Sequence, residues 1–600
     1  MKFLASYGSY ALAAILCLSH PTEATLRPLR ISLDTLPSGV RPVPRSPTFT
    51  NSTTKCRYLP GDRGWPSETE WSKLNDTVEG RLIRGAPLAQ ICFGITANDA
   101  ACAQLEEEWP TVDPYLDDPV TVMCPYWLNN TCSPFDGPNG NCALGNLASY
   151  AINVTGKDSI IAGINFAREK NIRLTIKNTG HDILGRSTGP GALALWTHHL
   201  KDVTILRNYT SSTYTGPAIK LGSGIQVHEA YEVASANGLR VAAGGCPTVG
   251  VAGWVPGGGH GPLTSQYGLG ADEILEYEVV LTNGTYLETV SATENSDLYW
   301  ALSGGGSGNY AILLSLTTRA HQDGPVAGST FMFFNTDADA YWAAISAWLD
   351  RLLVLDADFP TLKTAVTFSS QFFFLDFATF ADKTAAELDA ALQPFYRDLD
   401  RLGIAITSNE TSVQPNFVQH YDHFSGARPW GVNQTVGNRL IPRSTVRDQR
   451  AEFVGAIRNI TEAQPTAIFV FVATNVTHAH VGNAAGANSA NPAWRDALLL
   501  LNFGRELAPD AGWAELAAQQ AEVNSWQDVF RALTPQSGGY LNEGTWDNPE
   551  WKADYFGANY DRLAEIKAKY DPDYFLWTQT AVGNDVAWEV DNTTGRMCRR

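Results

Sequence analysis

Beyond its N-terminus this sequence has no apolar run reaching the ~18 uninterrupted residues that a membrane-spanning helix requires, so a bilayer is not an expected partner. Basic charge is also in short supply: 43 Lys and Arg stand against 62 Asp and Glu, for a formal net charge of -19. Nucleic acid and anionic membranes both call for a basic face, which disfavours each as the main partner. Several catalytic signatures are missing too. There is no G-x-x-x-x-G-K-[ST] phosphate loop, no G-x-S-x-G elbow and no H-E-x-x-H pair, so P-loop, hydrolase and zinc-protease readings lack their core elements. His478-Ala479-His480 is an isolated H-x-H at an expected strand end and reads as solvated, and His198-His199 read as structural. No metal is expected.

What is present fits a large globular chain. With 600 residues, 44% apolar and 18% charged, it can form two or more domains with sizeable cores. Lys2 and the short apolar run Tyr10 to Leu18 read as a secretory signal, with a cleavage point after Ala24. N-x-S/T triplets begin at Asn51, Asn75, Asn129, Asn153, Asn208, Asn283, Asn409, Asn433, Asn459, Asn475 and Asn592, which fits a glycosylated, secreted protein. Of nine cysteines, Cys17 leaves with the signal. Cys92 and Cys102 bracket one short loop, and Cys132 and Cys142 another, as local disulfides would. Cys56 and Cys598 could join the two ends, leaving Cys124 unpaired and Cys246 apart in a glycine-rich segment.

Residues 25 to about 55 read as an extended leader, and a cysteine-containing stretch with short helices, one around Glu79 to Arg84, runs to about 140. From Ala148 the pattern is regular. A helix is expected over 159–171, a strand over 172–176, a helix over 227–238 capped by Gly238, strands at 218–224 and 311–320, and a hairpin over 274–290 turning at Asn283-Gly284. Near 325 the composition shifts to aromatic-rich strands, at 329–334 and 364–375, and amphipathic helices at 338–353 and 385–399. These imply an α+β fold with antiparallel strands covered by helices on one side. A helical tail is expected over 552–570, and no internal repeat is visible.

Two segments stand out chemically. Lys177 to Ser187 (KNTGHDILGRS) follows a strand, and its glycine-bearing turn offers backbone donors that could cradle a pyrophosphate; it contains Thr179, Gly180, His181, Asp182, Arg186 and Ser187. Gly244 to Gly261 (GGCPTVGVAGWVPGGGHG) is too apolar for a flexible linker, with Val249, Val251, Trp254 and Val255 in it. So much glycine suggests a closely approaching ligand, although no G-x-G-x-x-G opens a helix here, which disfavours a Rossmann site.

Together these segments resemble the berberine bridge enzyme-like branch of the vanillyl alcohol oxidase flavoproteins, especially its secreted fungal isoamyl alcohol oxidase-like members. The likeness runs from about 56 to 590 and is weakest at 330–530. In that family a strand and G-H loop carry a histidine bonded to the flavin 8α-methyl, and His181 matches it. A C-x-x-V-G-x-x-G loop supplies a cysteine bonded to flavin C6, and Cys246 in CPTVGVAG matches it. The segments 257–284, 297–320 and 553–577 resemble further family motifs, in the family's order.

The resemblance implies a two-part FAD-binding domain, 120–325 and 535–590, around an inserted substrate domain, 326–534; the signal (1–24), an N-terminal extension (25–119) and a tail (591–600) complete the chain. It also implies FAD held by His181 and Cys246, with Thr179, Gly180, Asp182, Arg186, Ser187, Gly245, Val249, Gly250, Gly253, Gly258, Gly259, His260, Gly261, Tyr267 and Asn559 around it. The implied reaction is hydride transfer from the carbinol carbon of an alcohol or carbohydrate to flavin N5, followed by reduction of O2 to H2O2. Val249 matches the family's oxygen-gate position, where valine accompanies oxidase behaviour. Tyr540 matches the first tyrosine of the family's Y-x-N-Y motif and is the favoured base, but Glu543 stands at the fourth place, which leaves open which of the two takes the proton. A dehydrogenase using another acceptor and a flavin-bearing binding protein without turnover are the alternatives. Phe372, Phe374, His420, Tyr421, His423 and Trp430 could line a pocket for sugars or aromatic alcohols, or be ordinary core.

Overall fold

The computed structural model describes residues 55–128, 131–137, 140–426, 434–508, 510–591 and 594–600. The expected signal and most of the leader lie outside these residues, as do Cys17, Trp430, Asn51, Asn129, Asn433 and Asn592. The chain divides into two units, Met1–Cys56 and Arg57–Arg600, and the sheets among the described residues are those of the second.

The first sheet has four strands in the order Leu82–Arg84, Tyr150–Asn153, Ala192–Trp196, Arg173–Lys177. Its last three strands are parallel, and the helix Lys157–Glu169 makes the crossover from Tyr150–Asn153 to Arg173–Lys177. Parallel strands buried on both faces need continuous apolar runs, and Ala192–Trp196 is buried throughout. A helix around Glu79–Arg84 does not form. The helix comes earlier, at Glu68–Thr77, started by a Ser67/Glu70 capping box. Glu79 then takes a positive φ of 56°, and Leu82–Arg84 pairs as an edge strand.

The second sheet is antiparallel with five strands, in the order Val203–Thr210, Thr215–Gly222, Ile312–Arg319, Ile274–Val280, Tyr286–Ser291. The hairpin between Ile274–Val280 and Tyr286–Ser291 turns at Asn283-Gly284, where Gly284 has φ 83°.

The third sheet carries the site. Its seven antiparallel strands run Ser408–Gln414, Val326–Phe334, Phe372–Ala381, Lys363–Phe368, Ile468–Ala473, Ala497–Glu506, Gln434–Pro442. The aromatic run over 364–375 is two strands, not one, because Ser369 turns the chain: its amide bonds the Phe372 carbonyl and its hydroxyl accepts from Gln371 N–H. Helices Ala338–Asp358, Ala385–Leu402, Arg450–Ala463 and Trp513–Leu533 cover one face. There Phe331, Phe333, Trp348, Phe373, Leu375 and Phe395 form one core. Alternation puts Lys363, Asn438 and Asn502 on the opposite face, a polar set where a core would be apolar.

The tail over 552–570 breaks into Trp551–Phe556 and Tyr560–Tyr570, separated by Gly557 at φ 54°. Cys92–Cys102 and Cys132–Cys142 are bonded, Cys56 and Cys598 are each in a disulfide, and Cys124 and Cys246 are free thiols.

Candidate active site

Three loops build the site. The first leaves the strand Arg173–Lys177. Gly180 and Gly185 turn it with φ of 96° and 72°, and the Asp182 carboxylate accepts from the backbone N–H groups of Leu184 and Arg186. Burial raises the pKa of that carboxyl, against the pull of Arg186. Lys177 is buried beneath the loop, donating to the carbonyls of Tyr115 and Asp118, and burial lowers its ammonium to about 8. His181 is left half-buried at the tip. Burial, aided by the Lys177 charge, lowers its pKa to about 4, so the ring is neutral at ordinary pH.

The second loop holds Cys246. Its sulfur lies 4.0 Å from His181 Nε2, and Thr248 Oγ1 lies 2.7 Å from the same nitrogen and 3.6 Å from the sulfur. Burial raises the pKa of the Cys246 thiol, partly offset by hydrogen bonds from Thr248 and Val249. Glycine serves two ends here. A Cβ at Gly250 would meet Asn178 Oδ1 at 2.2 Å, one at Gly259 would meet Trp254, and one at Gly261 would meet the Ala243 carbonyl at 1.8 Å, so these let the protein pack on itself. Gly245 and Gly253 instead have nothing within 4 Å of that position. Gly245 and Gly253, rather than the whole segment, therefore leave room for a closely approaching ligand. Gly258 (φ 110°) and Gly259 (φ 74°) turn the chain toward His260.

The third loop, a short turn at Leu541–Glu543, is held against the polar sheet face: Tyr540 N–H donates to Asn438 Oδ1 at 2.7 Å and Asn438 Nδ2 to the Tyr540 carbonyl at 2.9 Å. Glu543 Oε1 is 3.0 Å from His260 Nε2, and Oε2 accepts from Asn502 Nδ2 at 2.8 Å. Burial alone would raise the pKa of this carboxyl, but His260, Asn502 and the nearby Lys363 charge hold it below the usual range. Lys363 is 1% exposed, its ammonium has no hydrogen-bond partner among the described residues, and burial brings it to about 7. The Tyr540 ring meets His260 edge-on at 4.9 Å, and its hydroxyl accepts from Asn542 Nδ2. Burial lifts the Tyr540 phenol far above its ordinary value.

The structure thus gathers His181, Cys246 and Val249 on one side and His260, Tyr540 and Glu543 on another. Asn542 of the third loop donates to the carbonyls of Gly253 and Trp254 in the second. Tyr267 is not with them: its ring stacks on His321 at 3.6 Å and its hydroxyl accepts from Arg240. Asn559 uses its amide on the Ser489 and Ala490 carbonyls. His480 is bonded to the Ser265 carbonyl and His478 to Asn483, and both are half-buried. His420 is fully buried on Thr379, and His423 pairs with Glu410. Thr248, Lys363 and Asn502 were missed by the sequence reading. A lysine inside the apolar strand KTAVTF was the one visible signal for Lys363.

The fit to a dinucleotide rests on two features. The guanidinium of Arg186 is buried with Nε and Nη2 unpartnered among the described residues, as an anionic ligand requires. The open flank of Gly245 adjoins the free thiol of Cys246, which lies 4.0 Å from the neutral His181 imidazole. The chain matches a family model described as an FAD binding domain over residues 148–290 and one described as berberine and berberine like over 539–583. It is 41% identical to the bifunctional decalin synthase calF of Penicillium decumbens, over 96% of this chain and 100% of that protein. It is 39% identical to the VAO-type flavoprotein oxidase VAO615 of Thermothelomyces thermophilus, over 92% and 96% of the two chains. The crystal structure of VAO-type flavoprotein MtVAO615 from Myceliophthora thermophila superposes with a TM-score of 0.85 at 38% identity, over 91% of this chain and 100% of that one. A glucooligosaccharide oxidase from Acremonium strictum, described with a 6-S-cysteinyl, 8α-N1-histidyl FAD, shares the fold at 19% identity and a TM-score of 0.59, over 73% and 92%.

Proposed function

Since the chain belongs to the berberine bridge enzyme-like, VAO-type FAD-linked oxidoreductases, we propose that it oxidises the carbinol carbon of an alcohol or carbohydrate and passes the electrons to O2. The observation that carries this reading is the Glu543 carboxylate, kept ionised between His260 and Asn502 beside Tyr540. Bound FAD supplies the two-electron acceptor. The protein must then orient the alcohol and remove its proton. Glu543 is the base: its carboxyl stays ionised at neutral pH, whereas the Tyr540 phenol stays protonated and is suited to hold the substrate oxygen. His260 Nε2, 3.0 Å from Oε1, and Asn502 Nδ2, 2.8 Å from Oε2, hold this carboxylate in place.

His181 and Cys246 are the residues we assign to covalent attachment, supported by their 4.0 Å approach and by the linkage described for the Acremonium oxidase. Thr179, Gly180, Asp182, Arg186 and Ser187 line the diphosphate side in this reading, and Val249 admits oxygen. The disulfides Cys92–Cys102 and Cys132–Cys142 support export from the cell.

The test is an absorption spectrum before and after acid precipitation, followed by an anaerobic substrate panel. Yellow pellet, bleaching by an alcohol or sugar, and peroxide on readmission of air are expected. Bleaching without peroxide would make the enzyme a dehydrogenase, and no bleaching with any substrate would leave a binding protein.

A further inference from the structure

We propose that Thr248 is a positioning residue for cofactor attachment, setting the His181 tautomer so that Nδ1 is the bare nucleophile while steadying the Cys246 sulfur. The inference rests on the assignment of His181 and Cys246 as attachment residues. A neutral imidazole carries one N–H, and which nitrogen bears it is decided by the partners available. Nε2 has Thr248 Oγ1 at 2.7 Å, whereas Nδ1 bonds to nothing among the described residues. In this assignment the proton sits on Nε2, donated to Oγ1, which leaves the Nδ1 lone pair bare.

The threonine hydroxyl has one proton and two lone pairs. With Oγ1 accepting from Nε2–H, its own hydrogen is free for the Cys246 sulfur, 3.6 Å away. That contact favours the thiolate, which burial otherwise opposes. One side chain thus serves both attachment points.

The chemistry balances. Joining Nδ1 to the ring's 8α carbon replaces a C–H bond by a C–N bond, releasing two electrons and two protons. The electrons pass by way of the ring to dioxygen, which with two protons becomes hydrogen peroxide. One of those protons is the one on Nε2, leaving through Thr248 Oγ1. At Cys246 an S–H and the ring's C6–H are exchanged for a C–S bond with the same balance.

The experiment uses the full chain with Thr248→Val, Thr248→Ala and Thr248→Ser, mapping flavin on the His181 and Cys246 peptides by mass at a fixed time after FAD is supplied. The valine and alanine variants should bind FAD and keep the wild-type circular dichroism, yet carry severalfold less peptide-bound flavin; serine should restore it. The histidyl-flavin isolated from wild type should be the Nδ1 isomer. Equal labelling of the valine or alanine variant, or an Nε2 link, overturns this inference alone. Wild-type protein with no peptide-bound flavin overturns the attachment reading and this inference with it.

Discussion

Tyr421 donates its hydroxyl to the carbonyl of Gly245, 2.7 Å away, one residue before Cys246. The ring is fully buried at the end of the short helix Phe417–Tyr421, so a residue far along the chain fixes the loop that presents the thiol. Removing the hydroxyl in Tyr421→Phe should cost about 1 kcal/mol, because the half-exposed Gly245 carbonyl can turn to water. The larger effect should fall on the loop. Flavin on the Cys246 peptide is expected to drop while flavin on the His181 peptide persists, read by peptide mapping beside a thermal melt. Equal loss at both residues would show that the bond does not act through the Cys246 loop.

Glu543 and Tyr540 are separable by substitution. Glu543→Gln keeps the shape and the Asn502 contact but removes the base, so kcat should fall ~100-fold or more. Tyr540→Phe removes only a hydroxyl bonded by Asn542, so its effect should be smaller and should appear partly in KM. Stopped-flow reduction of the flavin by substrate measures both without the oxygen step. A larger loss for Tyr540→Phe than for Glu543→Gln would reverse the two roles.

The loop chemistry was largely legible in the sequence because glycine, histidine and cysteine there are local features. KNTGHDILGRS and CPTVG each announce a turn with a reactive side chain. The polar sheet face was not legible. Lys363, Asn438 and Asn502 come from three strands, and only the pairing of Lys363–Phe368, Ile468–Ala473, Ala497–Glu506 and Gln434–Pro442 in that order brings them to one surface. Periodicity can say which side of a strand a residue takes, but not what that side faces. The Ser369 turn was hidden for a related reason: phenylalanines on both sides of a three-residue break read as one continuous strand.

Lys363 gives a pH signature. Its charge is one of the influences holding the Glu543 carboxyl low, alongside the closer His260 and the Asn502 hydrogen bond. In Lys363→Met the Glu543 pKa should rise. The acid limb of kcat/KM, where the base becomes protonated, should therefore move to higher pH, with the plateau little changed. Stability should behave oppositely. Burial lowers the lysine to about 7, so below its unfolded value near 10.5 the unfolded chain binds a proton more readily than the folded one. The folded state pays that cost increasingly as pH falls toward 7, and methionine removes it. A melting temperature equal to or above wild type at pH 7, with a displaced acid limb, is expected; an unmoved limb would remove Lys363 from the site's electrostatics.

Asp554 should matter for stability rather than chemistry. Its carboxylate, 4% exposed, accepts from Arg439 Nη1 at 2.5 Å, from Arg531 Nη2 at 2.8 Å and from Asn548 Nδ2 at 2.9 Å. Arg439 lies in the strand Gln434–Pro442 and Arg531 in the helix Trp513–Leu533, so one carboxylate ties both to the helix Trp551–Phe556. Asp554→Asn leaves the buried Arg439 guanidinium without its anion, while Arg531 keeps Asp528, and should cost about 3 kcal/mol. Burial would raise the Asp554 carboxyl, but the two arginines and Asn548 hold it below its ordinary range. A depressed carboxyl contributes stability that is full above its unfolded pKa, about 4, and lost as pH falls through the folded value. The wild-type melting temperature should therefore decline in acid more steeply than that of Asp554→Asn, which has already lost the contribution at pH 7. Parallel decline of the two would mean that the carboxylate is not the group titrating.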